Sequence, residues 1–146
     1  MAITDAESRH ISVLAGEGDL PKLRAAVQAL ALREALCPAD VLITCKDDYH
    51  QTAAHIAAKG GQARSIETLA DILATEEKKA VFFNMPNRFS GDRPVHTAMR
   101  HGYLEVLKVL VRHGADPTLP NRFGDKVMDY PGDYEQDEVR RIVEGF

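Results

Sequence analysis

The sequence has no tryptophan and only two cysteines among its 146 residues. Cys37 and Cys45 supply neither a disulfide framework nor a zinc-ligand set, so they read as free thiols of a reducing compartment. No apolar run approaches the ~20 residues of a membrane-spanning helix. The opening Met1-Ala2-Ile3-Thr4-Asp5 has no basic start followed by an apolar stretch, which argues against a secretory signal. A cytoplasmic or nuclear location, or both, is expected. Basic residues are outnumbered, 18 Lys and Arg against 22 Asp and Glu for a net charge of −4. Direct nucleic-acid binding, which relies on a basic stripe, is therefore not expected. A P-loop, a dinucleotide fingerprint and a nucleophile elbow are all missing, and Gly60-Gly61 reads as a helix end rather than a phosphate cradle. The sequence predicts no enzyme, no cofactor and no metal site.

What is present is repetition. Pro86-Asn87-Arg88-Phe89 returns as Pro120-Asn121-Arg122-Phe123, 34 residues later. Gly91-Asp92-Arg93 returns as Gly124-Asp125-Lys126 after 33, with Ser90 as one inserted residue. A second pattern runs Thr52-Ala53-Ala54-His55-Ile56-Ala57-Ala58 with Gly61 beyond, then Arg93-Pro94-Val95-His96-Thr97-Ala98 with Gly102 beyond. A worn copy, Arg9-His10-Ile11-Ser12-Val13-Leu14-Ala15, precedes Gly18, and a last one starts at Lys126-Val127-Met128-Asp129. The period and the Thr-Pro-Leu-His-x-Ala signature resemble the ankyrin-repeat family. The resemblance implies an all-α solenoid, a single domain over 1–146 of about four stacked helix-turn-helix units with finger loops. The units are approximately 5–43, 44–83, 84–117 and 118–146.

Helical periodicity agrees independently. Ile66, Leu69, Ala70 and Leu73 form one apolar stripe; Leu104, Leu107, Leu110 and Val111 form another; Val139, Ile142, Val143 and Phe146 form a third. Asp133 and Gln136 are placed to cap the last helix. No unit buries such a face alone, so the stripes require stacking. The first two units carry about 10 and 7 residues more than the third. Lengthened outer helices or loops are expected there, mostly as harmless insertions.

The histidines divide by position. The resemblance makes His55 and His96 the tethers that join neighbouring repeats by hydrogen bonds. His101 and His113 flank glycines near helix ends, and His50 stands where a turn glycine belongs, a tolerable substitute in the left-handed region. Asp47, Asn87 and Asn121 hold the place of the residue that bonds its own backbone in the finger turn.

The finger tips carry the candidate partner-binding residues Tyr49, Arg88, Phe89, Arg122 and Phe123. Aromatics and arginine dominate interface hot spots; packing of the phenylalanines on a neighbouring finger is the competing reading. A second candidate surface is acidic. From residue 121 onward seven carboxylates face four basic residues, and Asp133, Asp137 and Glu138 are the contacts proposed for a basic partner, with a solvated capping face as the bland alternative.

The order of motifs also resembles a small ankyrin-repeat chaperone of a small-subunit ribosomal protein. The matching segments are Ala15-Gly16-Glu17-Gly18-Asp19-Leu20, Val41 to Lys46, the long second repeat before Asn84, Ala115-Asp116-Pro117, Asn121 to Asp125 and the acidic helix near Glu138-Val139. That resemblance implies a non-enzymatic protein-interaction module, a chaperone or escort for a basic, ribosomal protein, monomeric when free and with no membrane partner. An inhibitor-type adaptor masking a signalling or transcription factor is the alternative. An unrecognised enzyme would need a deep pocket of convergent ionisable groups.

Overall fold

A computed structural model describes residues 3–129 and 136–144, and every regular element among them is helical. Thr4 starts the first helix, α1 (Asp5–Glu17), with a reciprocal cap. Its hydroxyl accepts the Glu7 N–H at 3.1 Å while the Glu7 carboxylate accepts the Thr4 N–H at 2.9 Å. Asp19 caps α2 (Leu20–Glu34) by accepting the Lys22 N–H. The chain continues through α3 (Pro38–Thr44), α4 (Ala53–Lys59), α5 (Ala63–Leu73), α6 (Glu76–Phe83), α7 (Pro94–Arg100) and α8 (Leu104–Arg112). A single 3-10 turn at Val127–Asp129 and α9 (Gln136–Glu144) follow.

Two rows result. α1, α4 and α7 pack side by side as an inner row, extended by the 3-10 turn; α2, α5, α8 and α9 form the outer row. The inner row is close because α4 is built from alanine: Ala53, Ala54, Ala57 and Ala58 are all buried. Small side chains let neighbouring helices approach to interior packing density. Ile66, Leu69, Ala70 and Leu73 are buried as the α5 stripe requires. In α8 the stripe is rotated from expectation. Val106, Leu107, Val109 and Leu110 are buried, whereas Leu104 and Val111 sit at its edges. Between outer-row neighbours on two sides, α8 turns a wider face inward than one stripe describes. Val139 is buried in α9, with Ile142 and Val143 packed beside it; Phe146 and the side chains of the expected Asp133–Gln136 cap lie outside the described residues.

The extra residues of the first two units form two helices of their own, α3 and α6, which pack against α2 and α5 as a third layer. They are not idle loops. α3 buries Ala39, Val41 and Leu42, and α6 buries Phe82 and Phe83 completely. Burying one such phenylalanine contributes about 1.5–3 kcal/mol.

Candidate partner-binding site

Each finger is closed by one side-chain oxygen. Asp47 Oδ1 accepts the N–H groups of Tyr49 at 2.8 Å and Gln51 at 2.9 Å. Asn121 Oδ1 accepts those of Phe123 and Asp125, both at 2.9 Å. In these two fingers the backbone closes over four residues, Asp47 N–H to Gln51 O and Asn121 N–H to Asp125 O. The middle finger holds the inserted Ser90, so Asn87 N–H reaches one residue further, to Asp92 O at 2.8 Å. Its side chain accepts the Ser90 N–H and hydroxyl instead. His50 occupies the left-handed region with φ 57°.

The fingers are bonded to one another. Arg88 N–H donates to Tyr49 O at 2.7 Å, and Arg122 N–H donates to Ser90 O at 2.8 Å. Gly91 makes the second bond feasible: φ is +68°, and a Cβ there would lie 2.9 Å from Arg122 N.

The histidines lock the second and third fingers to α4 and α7 of the preceding units. His55 Nδ1 accepts the Thr52 N–H at 3.1 Å, which leaves Nε2 to donate to Asp92 O at 2.9 Å. His96 repeats this with Arg93 N–H at 3.0 Å and Asp125 O at 3.0 Å. A backbone N–H only donates, so Nδ1 is the acceptor and the proton sits on Nε2. Burial holds both rings neutral, pushing His55 down to about 4 and His96 in the same direction.

Asp92 is the junction that the sequence reading passed over. Its carbonyl accepts from His55 and Asn87, and its buried carboxylate accepts Arg100 Nε at 2.8 Å and Asn121 Nδ2 at 2.9 Å. Burial alone would raise its pKa, but the Asn121 amide and the Arg100 guanidinium outweigh burial and hold it below the usual value. Arg93 adds a brace, donating to Asn84 O and Pro120 O. The recurrence of Gly91-Asp92-Arg93 as Gly124-Asp125-Lys126 was the available signal.

The tips form a contiguous exposed row. Tyr49, Phe89 and Phe123 are 51%, 63% and 72% exposed. Tyr49 and Phe89 also touch, ring centroids 5.0 Å apart, so packing on the neighbouring finger and exposure to a partner coexist. Arg122 is exposed, and the Arg88 guanidinium reaches the Asp48 carbonyl at 3.5 Å. The acidic end is some distance along the stack, on α9. Asp137 there is exposed, while Glu138 is bound to Lys108 at 2.8 Å. That pairing holds Glu138 below the ordinary carboxylate range and raises Lys108. Asp133 lies outside the described residues. Among the described residues, no helix is long and apolar enough to cross a membrane. A groove of about 450 Å³ lies between α1 and α2 around Ala6, His10 and Leu30, away from the fingers.

Residues 23–121 match the family model of ankyrin repeats. The chain belongs to the ankyrin-repeat family. Ankyrin repeats act in protein–protein interaction. The chain is 27% identical to the ankyrin repeat and LEM domain-containing protein 2 homolog of Caenorhabditis elegans over 73% of its own length, and it spans only 22% of that relative. Among solved structures it is similar to the one described as the crystal structure of the yeast ribosomal protein Rps3 in complex with its chaperone Yar1. The TM-score is 0.75 at 24% identity, covering 99% of this chain and 93% of the matched one. At that identity the likeness concerns the fold.

Proposed function

We propose that this protein is a non-enzymatic module of four ankyrin units that escorts a basic, ribosomal-type protein client. The observation that carries the interaction reading is the finger row: three exposed aromatics held in register by finger-to-finger backbone bonds. A preorganised row loses little entropy on docking, and aromatic tips bury large area. The ribosomal client is inferred from the fold neighbour, whose description pairs a chaperone with a ribosomal protein. The basic character of the client is inferred from the net charge of −4 and from Asp133, Asp137 and Glu138. Carboxylates in place of RNA phosphate would cover arginine and lysine surfaces that otherwise attract polyanions. Glu138 would have to exchange Lys108 for the client.

One observation favours the inhibitor-type adaptor as a second reading: the two arginines at the tips, Arg88 and Arg122, offer cations to a carboxylate-bearing partner. Charge reversal separates the two. The partner is first recovered from the native cells with the tagged protein and identified by mass spectrometry, and association is then timed against salt. For a basic client, Asp137→Lys with Glu138→Lys slows association and Arg88→Glu with Arg122→Glu does not. An acidic partner gives the opposite pattern. Association that is flat across salt, with no basic protein recovered, rejects the escort reading. Phe89→Ala with Phe123→Ala weakens binding in either case; full affinity in that variant moves the interface off the fingers.

A further inference from the structure

The two added helices meet at a side-chain cluster that the interaction function does not use. Cys37 immediately precedes α3, and its thiol is exposed. Lys78, on α6, places Nζ 3.3 Å from Cys37 Sγ. Asp40 joins the two: Oδ2 accepts the thiol at 3.1 Å and Oδ1 accepts the ammonium at 2.9 Å. Lys78 and Asp40 are 36% and 47% exposed, so small solutes reach the cluster. The other thiol, Cys45, is buried, and burial pushes its pKa up. A thiol, an ammonium and a carboxylate therefore converge at the surface from two successive units, and their mutual hydrogen bonds hold Lys78 above and Asp40 below their ordinary pKa values.

We propose that Cys37 and Lys78 are a peroxide-responsive pair that closes into a sulfenamide crosslink between α3 and α6. In the first step the Cys37 thiol gives its proton to Asp40 Oδ2, and the sulfur attacks hydrogen peroxide. The S–O bond forms, the O–O bond breaks, and the departing hydroxide takes the proton and leaves as water. Cys37 is now a sulfenic acid, oxidised by two electrons at the expense of the peroxide. Sulfenic acids condense with nearby nitrogen. In the second step the Lys78 ammonium, already in place, first gives up one proton to solvent, and the free amine attacks the sulfur. The N–S bond forms and the S–O bond breaks. The second proton lost by nitrogen passes through Asp40 to the leaving hydroxyl, and a second water is released. The net change is loss of one hydrogen from the thiol and two from the ammonium, one of these as a proton to solvent, with one peroxide reduced to two waters. The product ties the first unit to the second on the outer side and removes the Lys78–Asp40 ion pair. An added thiol reverses it, attacking sulfur and releasing the amine.

The test is peptide mapping after exposure of the whole protein to hydrogen peroxide. The expected product joins the Cys37 and Lys78 peptides at a mass lower by two hydrogens, resists trypsin after Lys78 and reverts with dithiothreitol. Cys37→Ser and Lys78→Arg abolish it; the arginine keeps the cation beside Asp40 but has no lysine amine. Asp40→Asn slows crosslinking on the order of a hundredfold, the scale of a lost proton-transfer group. Cys45 is the internal control and stays reduced. Circular dichroism confirms that each variant is folded. Recovery of Cys37 only as sulfinic or sulfonic acid, or in a disulfide to a second copy, overturns the proposal. So does an unchanged crosslink in Lys78→Arg.

Discussion

The finger side and the outer-helix side of the stack join the same units by different physics. On the finger side, contacts between units are buried and short. His55 and His96 are fully buried and donate to the next finger's backbone, and the Asp92 carboxylate is enclosed by Arg100 and Asn121. On the outer side, beyond the buried apolar stripes, the charged links are ion pairs facing solvent: Arg24–Asp71 between α2 and α5, Glu67–Arg112 between α5 and α8, and Lys108–Glu138 between α8 and α9. Leaving a buried group without its partner costs far more than losing an exposed pair. Among the polar links, register is therefore set from the finger side, the side that carries the candidate interface, and the outer ion pairs make only fine adjustments.

The largest expected effect is a pH dependence dominated by the finger side. His55 has a folded pKa of about 4 against an ordinary value of 6.5. The unfolded chain takes up the proton first as pH falls. The stabilisation is thus fully present above pH 6.5 and is lost as pH drops through about 4. A shift of this size corresponds to about 3 kcal/mol, with His96 adding in the same direction. The lowered pKa of Asp92 acts below this window, under the ordinary aspartate value of 3.8. Urea unfolding measured through the window should show the fall, and a flat profile would mean that the tethers are not buried in solution.

Next in size is removal of a tether. His55→Ala leaves the buried Thr52 N–H without its partner and the Asp92 carbonyl with Asn87 alone, at a cost of about 1–3 kcal/mol, and His96→Ala falls in the same range. The pH profile of each variant should flatten in proportion. An unchanged melting temperature in both would place the register elsewhere.

Gly91→Ala follows. It forces a side chain into φ +68° and brings its Cβ to 2.9 Å from Arg122 N, against backbone that cannot rotate away. The left-handed conformation alone costs about 1–2 kcal/mol. The bond between the second and third fingers should open, and amide exchange at Arg122 should accelerate while that at Arg88 stays slow. Equal acceleration at both would show that the fingers move as one piece.

The finger side was largely legible in the sequence because its parts are local and periodic. A turn oxygen at Asp47, Asn87 and Asn121, and a histidine at a fixed offset, each report a backbone bond within a few residues. The outer side was not. α3 and α6 sit in stretches with no repeat partner, and the full burial of Phe82 and Phe83 depends on what the fold brings against them. The capture of Glu138 by Lys108 joins residues 30 apart in sequence, so the acidic run read as unpaired charge. In the sequence Asp92 stands only as the middle residue of the recurring Gly91-Asp92-Arg93. The approach of His55 from the unit before and Asn121 from the unit after turns it into a junction.

The smallest expected effect tests the other half of the comparison. Arg24 and Asp71 lie 3.1 Å apart with side chains 51% and 68% exposed; Arg112 and Glu67 lie 2.8 Å apart at 62% and 41%. At such exposure the Coulomb gain is screened by water and salt, and two long side chains lose rotamer freedom to hold one geometry. Each pair is worth about 0–1 kcal/mol. Arg24→Ala should therefore change stability by less than about 1 kcal/mol, and a double-mutant cycle with Asp71→Ala should return a coupling of the same small size. Raising salt should leave Arg24→Ala and the parent protein nearly equal. Glu67 is the informative exception within the ladder, because it holds Arg112 with one oxygen and His113, at the end of α8, with the other at 2.9 Å. Glu67→Gln keeps a hydrogen-bonding group there and should cost less than Glu67→Ala. A coupling well above 1 kcal/mol at Arg24–Asp71 would show that the outer row sets register alongside the fingers, and the division of labour between the two sides would fail.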